Sequence, residues 1–274
     1  MRSFLFVPGS KPERFPKALA AGADAVIVDL EDAVADAEKA TARAHVADAA
    51  RTFLASPARV LLRINGAGTQ WFEEDLSLAA ASEGIDGIVL PKAENSAALA
   101  AVAAATAKPV WPIIESAVGV WNALDVARMP AVERLIFGSV DFELDLDCDG
   151  SWDALLHARS RIVLASRVAA IQSPVDGVTV AIDDERQLAE DSSKARSLGF
   201  GGKLCIHPRQ VAAVNAAFSP SADEIAKARR IVEAYERAEG GAVSVDGRMV
   251  DLPVLLKARR IVGLTESTRG LGEG

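Results

Sequence analysis

The chain has 274 residues, half of them apolar and a quarter charged, which is enough to bury a sizeable core and excludes a disordered, fibrous or disulfide-stapled chain. Its 30 Lys and Arg against 38 Asp and Glu give a net charge of -8 with no basic run, which argues against a nucleic-acid partner. Cys148 and Cys205 are too few for a secreted framework, and Met1 to Val7 lack the apolar stretch of a signal peptide or membrane span, so a reduced, cytoplasmic protein with no membrane partner is expected.

Eight short apolar runs recur in chain order: Phe4 to Val7, Ala25 to Leu30, Val60 to Ile64, Gly87 to Leu90, Val110 to Ile114, Leu135 to Gly138, Asp176 to Ile182 and Lys203 to Ile206. Between them lie Ala-rich amphipathic stretches with helical periodicity, including Pro12 to Ala21, Asp36 to Leu54, Asn95 to Ala105, Leu155 to Ser173 and Asp184 to Leu198. Continuous apolar strands alternating with helices imply a parallel sheet buried on both faces. Eight units at a spacing of roughly 25 to 30 residues match a (β/α)8 TIM barrel of about 250 residues. A doubly wound open sheet is the alternative, but the first strand ends in Val7-Pro8-Gly9-Ser10-Lys11-Pro12 and no dinucleotide-binding glycine pattern follows.

Residues 1–220 therefore read as the barrel and 221–274 as a C-terminal extension. The extension comprises a helix from Ser221 to Glu239, a Gly240-Gly241 break, a hairpin over Val243 to Val250 turning at Asp246-Gly247, and a last helix from about Leu252 to Thr265. The barrel does not need this tail, which reads either as a lid or subunit contact or as a helix packed on its own barrel.

In such barrels the active site is built at the carboxyl ends of the strands. The polar residues placed there are Asp29, Glu31 and Asp32, then Arg63 and Asn65, Lys92 and Glu94, Glu115, Asp141, Asp183 and Asp184, and His207. Several carboxylates converging on one mouth form the oxygen-rich ligand set that Mg2+ prefers. Glu115 and Asp141 are the sharpest candidates because each follows a short apolar strand on neighbouring positions; capping of the following helix is the competing role. Arg63 either balances the carboxylates or holds a substrate carboxylate in its planar fork.

Other features point elsewhere. Asp145-x-Asp147-x-Asp149-Gly150 resembles the start of a calcium loop, but Leu156 stands where a bidentate Glu is required. Gly199-Phe200-Gly201-Gly202-Lys203 precedes its strand and so reads as a turn on the opposite face of the barrel. Lys92 beside carboxylates favours a charged ammonium over a Schiff base. His45, His157 and His207 do not cluster as a zinc site would require.

With these residues in hand the chain resembles the citrate lyase beta-subunit family, which includes malyl-CoA and citramalyl-CoA lyases. The resemblance runs nearly end to end and rests on Arg2-Ser3-x-Leu5-Phe6-Val7-Pro8-Gly9, Gly22 to Val34, Arg63-Ile64-Asn65-Gly66, Leu90-Pro91-Lys92, Ile114-Glu115-Ser116, Phe137-Gly138-x-x-Asp141, Gly202-Lys203-x-x-Ile206-His207-Pro208 and Gly247-x-Met249-x-Asp251-x-Pro253. It implies a Mg2+-dependent barrel, a homotrimer or hexamer, that cleaves a 3-hydroxyacyl thioester of coenzyme A into acyl-CoA and a 2-oxo acid. By the same resemblance Glu115 and Asp141 match the metal ligands, Arg63 and Glu115 touch the oxo acid, Glu31 and Asp32, with Asp29, support the site, and Asp251 matches an acid supplied by the neighbouring subunit. Lys11 and Arg14, in the first strand-to-helix loop, are candidates for the coenzyme A phosphates. One departure is that Ser139-Val140 precede Asp141 where the family carries an acid, which alters the surroundings of that ligand. The expected function is a carbon-carbon lyase; the alternatives are an aldolase acting on free 2-oxo acids, a thioesterase built from the same parts, and a non-catalytic subunit of a larger complex.

Overall fold

The computed structural model describes residues 1–238 and 242–269; the Glu239 end of the first tail helix and the Gly240-Gly241 break expected from the sequence lie outside them. Eight parallel strands, β1 (Ser3–Pro8), β2 (Ala25–Asp29), β3 (Arg59–Arg63), β4 (Gly87–Leu90), β5 (Val110–Ile114), β6 (Ile136–Phe137), β7 (Val175–Asp176) and β8 (Gly202–Cys205), close in sequential order into a barrel, β8 returning to pair with β1. The helices between and after them are α1 (Phe15–Leu19), α2 (Lys39–Phe53), α3 (Phe72–Ala81), α4 (Ser96–Ala105), α5 (Ala117–Trp121), α6 (Ala123–Ala127), α7 (Ser139–Leu146), α8 (Trp152–Val168), α9 (Glu185–Leu198) and α10 (Pro208–Ala217). The (β/α)8 architecture expected from the sequence is the one observed.

Alternation along the strands sorts the core into two layers. Phe4, Ala25, Ile27, Leu61, Val89, Trp111, Ile113, Ile136, Val175 and Leu204 fill the barrel interior. Their neighbours Leu5, Val26, Val28, Leu62, Ile88, Ile114 and Phe137 point outward against the helices. The fully buried Trp111 is the largest interior side chain, and Gly87 on the adjacent strand makes room for it, since a Cβ there would overlap the indole ring. Outside the barrel, α2 buries a stripe of Lys39, Ala42, Val46, Ala50 and Phe53 at helical spacing.

The chain divides into two compact units, one spanning Met1–Phe218 and the other beginning at Ser219. The second contains α11 (Ala222–Arg237), the hairpin strands β9 (Val243–Val245) and β10 (Arg248–Val250), and α12 (Leu252–Arg269). Ser221 and Glu224 form a reciprocal capping box at the start of α11. The hairpin turns where the sequence places it, with Asp246 and Gly247 both in the left-handed region at φ 50° and 72°, as a two-residue primed turn requires. Ala228, Ile231, Val250 and Ala258 form this unit's own small core.

The seventh strand needs correction. The alternating run Asp176 to Ile182 predicts a strand of that length, but only Val175 and Asp176 pair, with β6 through Val175 and with β8 through both. The chain leaves the ladder at Gly177, and Val180 and Ile182 are exposed. Helices α3, α5, α6, α7 and α10, each ten residues or shorter, are not among the helical stretches read from the sequence. No helix among the described residues is long and apolar enough to cross a membrane.

The Gly87 contact yields a stability test. Gly87→Ala is expected to cost about 1–3 kcal/mol, because the new methyl meets both the Trp111 ring and the Pro109 carbonyl, as chemical denaturation would measure.

Candidate active site

The strand alternation that fills the barrel also aims its polar residues. Asp29 lies two residues beyond Ile27, Arg63 two beyond Leu61 and Glu115 two beyond Ile113, so all three continue the inward-facing rows at the carboxyl ends of their strands. Asp29 and Arg63 are direct register partners. Nε and Nη2 of Arg63 donate to the two oxygens of Asp29 at 2.7 and 2.6 Å, a bidentate pair buried at the mouth. Asp29 also accepts from the backbone N–H groups of Glu31 and Ala33, which curls the loop after β2 around its carboxylate.

That loop delivers Glu31 and Asp32 to the same guanidinium. Nη1 of Arg63 lies 2.9 Å from Glu31 and 3.3 Å from Asp32, and the guanidinium stacks on the Phe6 ring at 4.9 Å. Burial works against the charge on Arg63, but Asp29, Glu31 and Asp32 outweigh it and raise its pKa. Lys92, held at φ 50° after β4, donates to Glu31 at 2.8 Å. Burial opposes its charge too, yet the hydrogen bond to Glu31 and the nearby carboxylates hold its pKa above the usual value, which disfavours Schiff-base chemistry.

Glu115 accepts a hydrogen bond from the Lys92 backbone N–H on Oε1 at 2.6 Å. Its Oε2 has no hydrogen bond among the described residues and packs against Gly138, where a Cβ would sit 2.6 Å from it. Gly138 follows β6 and stands at the N-cap of α7, and Asp141 lies in the first turn of that helix. Burial, with added repulsion from Glu31 and Asp141, pushes the Glu115 carboxyl up to about 8.

Five carboxylates, Asp29, Glu31, Asp32, Glu115 and Asp141, thus face two cations, Arg63 and Lys92. This surplus of negative charge and the free Glu115 oxygen fit a hard divalent cation. No group of three or more His, Cys, Asp or Glu among the described residues stands ready to hold a metal; Glu115 and Asp141 are the carboxylates that could contribute to one, with oxygens of water or substrate completing its shell.

Other sequence candidates fall in different places. Lys11 and Arg14 are exposed in the loop after β1, on the same face as the carboxylates. Asp251 belongs to the second unit, where its Oδ1 accepts from the Val254 N–H at the start of α12. Glu94 accepts from Ser116 Oγ, Asp183 pairs with Arg209, Asp184 caps α9, and His207 caps α10. Asp145 receives the Ala117 N–H and Asp149 the Ser151 N–H, so these two acids serve helix starts.

The sequence reading missed two buried supports. Lys39 donates to the carbonyls of Leu30 and Glu31 and to Oδ1 of Asn65, and Asp75 accepts from Arg43 and from both nitrogens of Asn65. Lys39 was detectable, since it occupies the apolar stripe of α2; Asp75 carried no signal because α3 itself was not foreseen.

The family model for HpcH/HpaI aldolase/citrate lyase matches residues 2–208. A citrate lyase subunit beta-like protein of Deinococcus radiodurans is 37% identical, the match covering 96% of each chain. A (3S)-malyl-CoA thioesterase of Cereibacter sphaeroides is also 37% identical, over 97% of this chain and 95% of the relative. The crystal structure of CitE from Mycobacterium tuberculosis in complex with magnesium, acetoacetate and coenzyme A superposes with a TM-score of 0.83 at 36% identity, covering 96% of this chain and 98% of that one.

Glu115 also makes the metal-free protein pH-dependent. A carboxyl whose pKa rises on folding contributes stability that is complete below its unfolded value, near 4.5, and is lost as pH climbs through about 8. Chemical denaturation between pH 4.5 and 9 is expected to show this decline, and Glu115→Gln is expected to remove that part of it; equal slopes in both proteins would refute a buried, uncharged Glu115.

Proposed function

The chain belongs to the HpcH/HpaI aldolase/citrate lyase family, and from that premise we propose that it is a Mg2+-dependent carbon-carbon lyase cleaving a 3-hydroxyacyl-CoA of the citryl, malyl or citramalyl type into acyl-CoA and a 2-oxo acid. The observation that carries the reading is the buried Glu115, one oxygen of which makes no hydrogen bond among the described residues and which Asp141 and Glu31 repel, beside the Asp29–Arg63 bridge. Relatives solved with magnesium and oxaloacetate, and with magnesium and coenzyme A, support the same ligand chemistry.

Glu115 and Asp141 would hold Mg2+, which when bound supplies Lewis-acid stabilisation of oxygen charge worth several kcal/mol. Arg63 orients the carboxylate of the oxo-acid half. Its Nε edge is taken by Asp29 and Nη1 is shared by Glu31 at 2.9 Å and Asp32 at 3.3 Å, so the substrate is received where Asp32, more than half exposed, gives way while Glu31 stays in place. The hydroxyl proton passes to water, the bond between the hydroxyl-bearing carbon and the thioester α carbon breaks as the oxygen becomes the carbonyl of the 2-oxo acid, and its electron pair passes to the α carbon, which takes up a proton. Asp251 of a neighbouring subunit is the proposed donor, and the second unit that carries it would serve as the lid or subunit contact of a homotrimer or hexamer. Lys11 and Arg14 would meet the coenzyme A phosphates.

The malyl-CoA thioesterase relatives, as similar as the lyase-like ones, favour a second reading in which water attacks the thioester of the same substrate. Incubating the protein and Mg2+ with citryl-, malyl- and citramalyl-CoA separates the two. The lyase releases a 2-oxo acid with no free thiol, whereas the thioesterase releases thiol and no oxo acid; neither product from any of the three refutes both.

Glu115→Gln is expected to abolish Mg2+ binding in calorimetry and lower turnover roughly a hundredfold or more. Asp251→Asn is expected to keep metal and oxo-acid binding while lowering turnover by about 10²–10⁴. Mixing the two variants should restore part of the activity through sites that draw an intact Glu115 from one chain and an intact Asp251 from another. No recovery after verified subunit exchange would remove Asp251 from the neighbouring site.

A further inference from the structure

A second cluster of buried charge lies outside the barrel mouth. Val175 and Leu204 fill the barrel interior, so their strand neighbours Asp176 and Lys203 point outward, toward the helices. There Asp176 serves two cations: Nε of Arg159, from α8, donates to Oδ1 at 2.9 Å, and Nζ of Lys203 lies 3.3 Å from Oδ2 and donates to the Gly177 carbonyl at 2.7 Å. All three side chains are more than nine-tenths buried. Within this trio one carboxylate faces two cations; the further carboxylates Glu143, Glu190 and Asp191 line the cleft beside Arg159.

The end of Arg159 marks where an anion would go. Its guanidinium is sandwiched between the Phe137 ring at 5.2 Å and the Trp152 ring at 4.4 Å, which fixes its plane. Nη1 is buried and has no hydrogen-bond partner among the described residues. Arg159 and Trp152 line a cleft of about 460 Å³ between α8 and α9, covered by the segment that follows β7. The N-terminus of α8, capped by Ser151, faces the same cleft, as does Ser139 at the start of α7. Of the carboxylates on the rim, Glu190 is held by Lys194, and Asp191 by Thr179 and Gln187. Glu143 alone makes no carboxylate hydrogen bond among the described residues.

We propose that this lateral cleft binds a small oxyanion, a carboxylate or phosphate group, that accepts from Arg159 Nη1, the buried donor left without a partner, and from Ser139. The site is independent of the reaction at the barrel mouth. Glu143 competes with the ligand by like-charge repulsion, which sets the opposite sign from a site for an ammonium or a metal cation.

Acetate, phosphate and sulfate titrated into the intact protein, followed by calorimetry and tryptophan fluorescence, test the proposal. Saturable binding is expected, unchanged in Arg63→Gln, which separates it from the mouth. Arg159→Gln, which leaves Asp176 and Lys203 as a balanced pair, is expected to weaken binding about tenfold or more. Glu143→Gln is expected to tighten it and Ser139→Ala to weaken it. A preference for phosphate over acetate would identify a phosphorylated ligand, and the reverse a carboxylate. Absence of saturable binding by all three anions overturns the site, as does binding that Arg159→Gln leaves unchanged. Should Arg159→Gln fail to fold, the other two variants decide: binding that Glu143→Gln weakens or leaves alone overturns it.

Discussion

The mouth of the barrel is organised by the two-pronged bond between Arg63 and Asp29. Because the two residues are register partners at the ends of β2 and β3, the bond forms without any excursion of the backbone. Asp29 is almost fully buried and its four hydrogen bonds, two from Arg63 and two from the loop it begins, leave it no need of solvent. Removing one partner of such a pair strands the other as a buried charge, at a cost of about 3–5 kcal/mol. Everything else at the mouth is placed relative to it. Glu31 reaches Arg63 and Lys92 only because the loop curls around Asp29, and Lys39 holds that curl from behind through the Leu30 and Glu31 carbonyls.

Fixing one cation among so many acids has an electrostatic consequence for Glu115. Arg63 is already shared by three carboxylates and Lys92 is directed at Glu31, so neither neutralises Glu115, which takes only a backbone N–H. Burial raises its pKa, and repulsion from Glu31 and Asp141 adds to the rise. Gly138 belongs to the same logic: a side chain there would displace the carboxylate from the edge of the barrel.

How much of this was legible depended on whether a residue's role followed from local pattern. The eight apolar runs showed the barrel because burial on both faces of each strand is written in consecutive residues, and the inward positions of Asp29, Arg63 and Glu115 followed from counting in twos. Partner choice was not legible. Arg63 reads equally as a substrate clamp or as a balance for carboxylates, and the structure shows its Nε edge committed to Asp29, a matter of register between strands 34 residues apart. Asp75 was hidden for a similar reason: its partners come from α2 and from the end of β3.

The short seventh strand shows the same principle acting in reverse. Asp176 to Ile182 alternates like a strand, and alternation alone cannot distinguish a chain that stays in the ladder from one that leaves it. Asp176, the last residue to pair, faces outward, where it meets Arg159 from α8 and Lys203, its own register partner on β8. The chain then turns over the cleft above them, and Val178 packs toward the barrel interior while Val180 is exposed. One barrel thereby carries charge on both faces of its sheet, with Asp29 and Arg63 facing inward from β2 and β3, and Asp176 and Lys203 facing outward from β7 and β8 toward Arg159 of α8. The parity of a residue within its strand determines which of the two surroundings it joins.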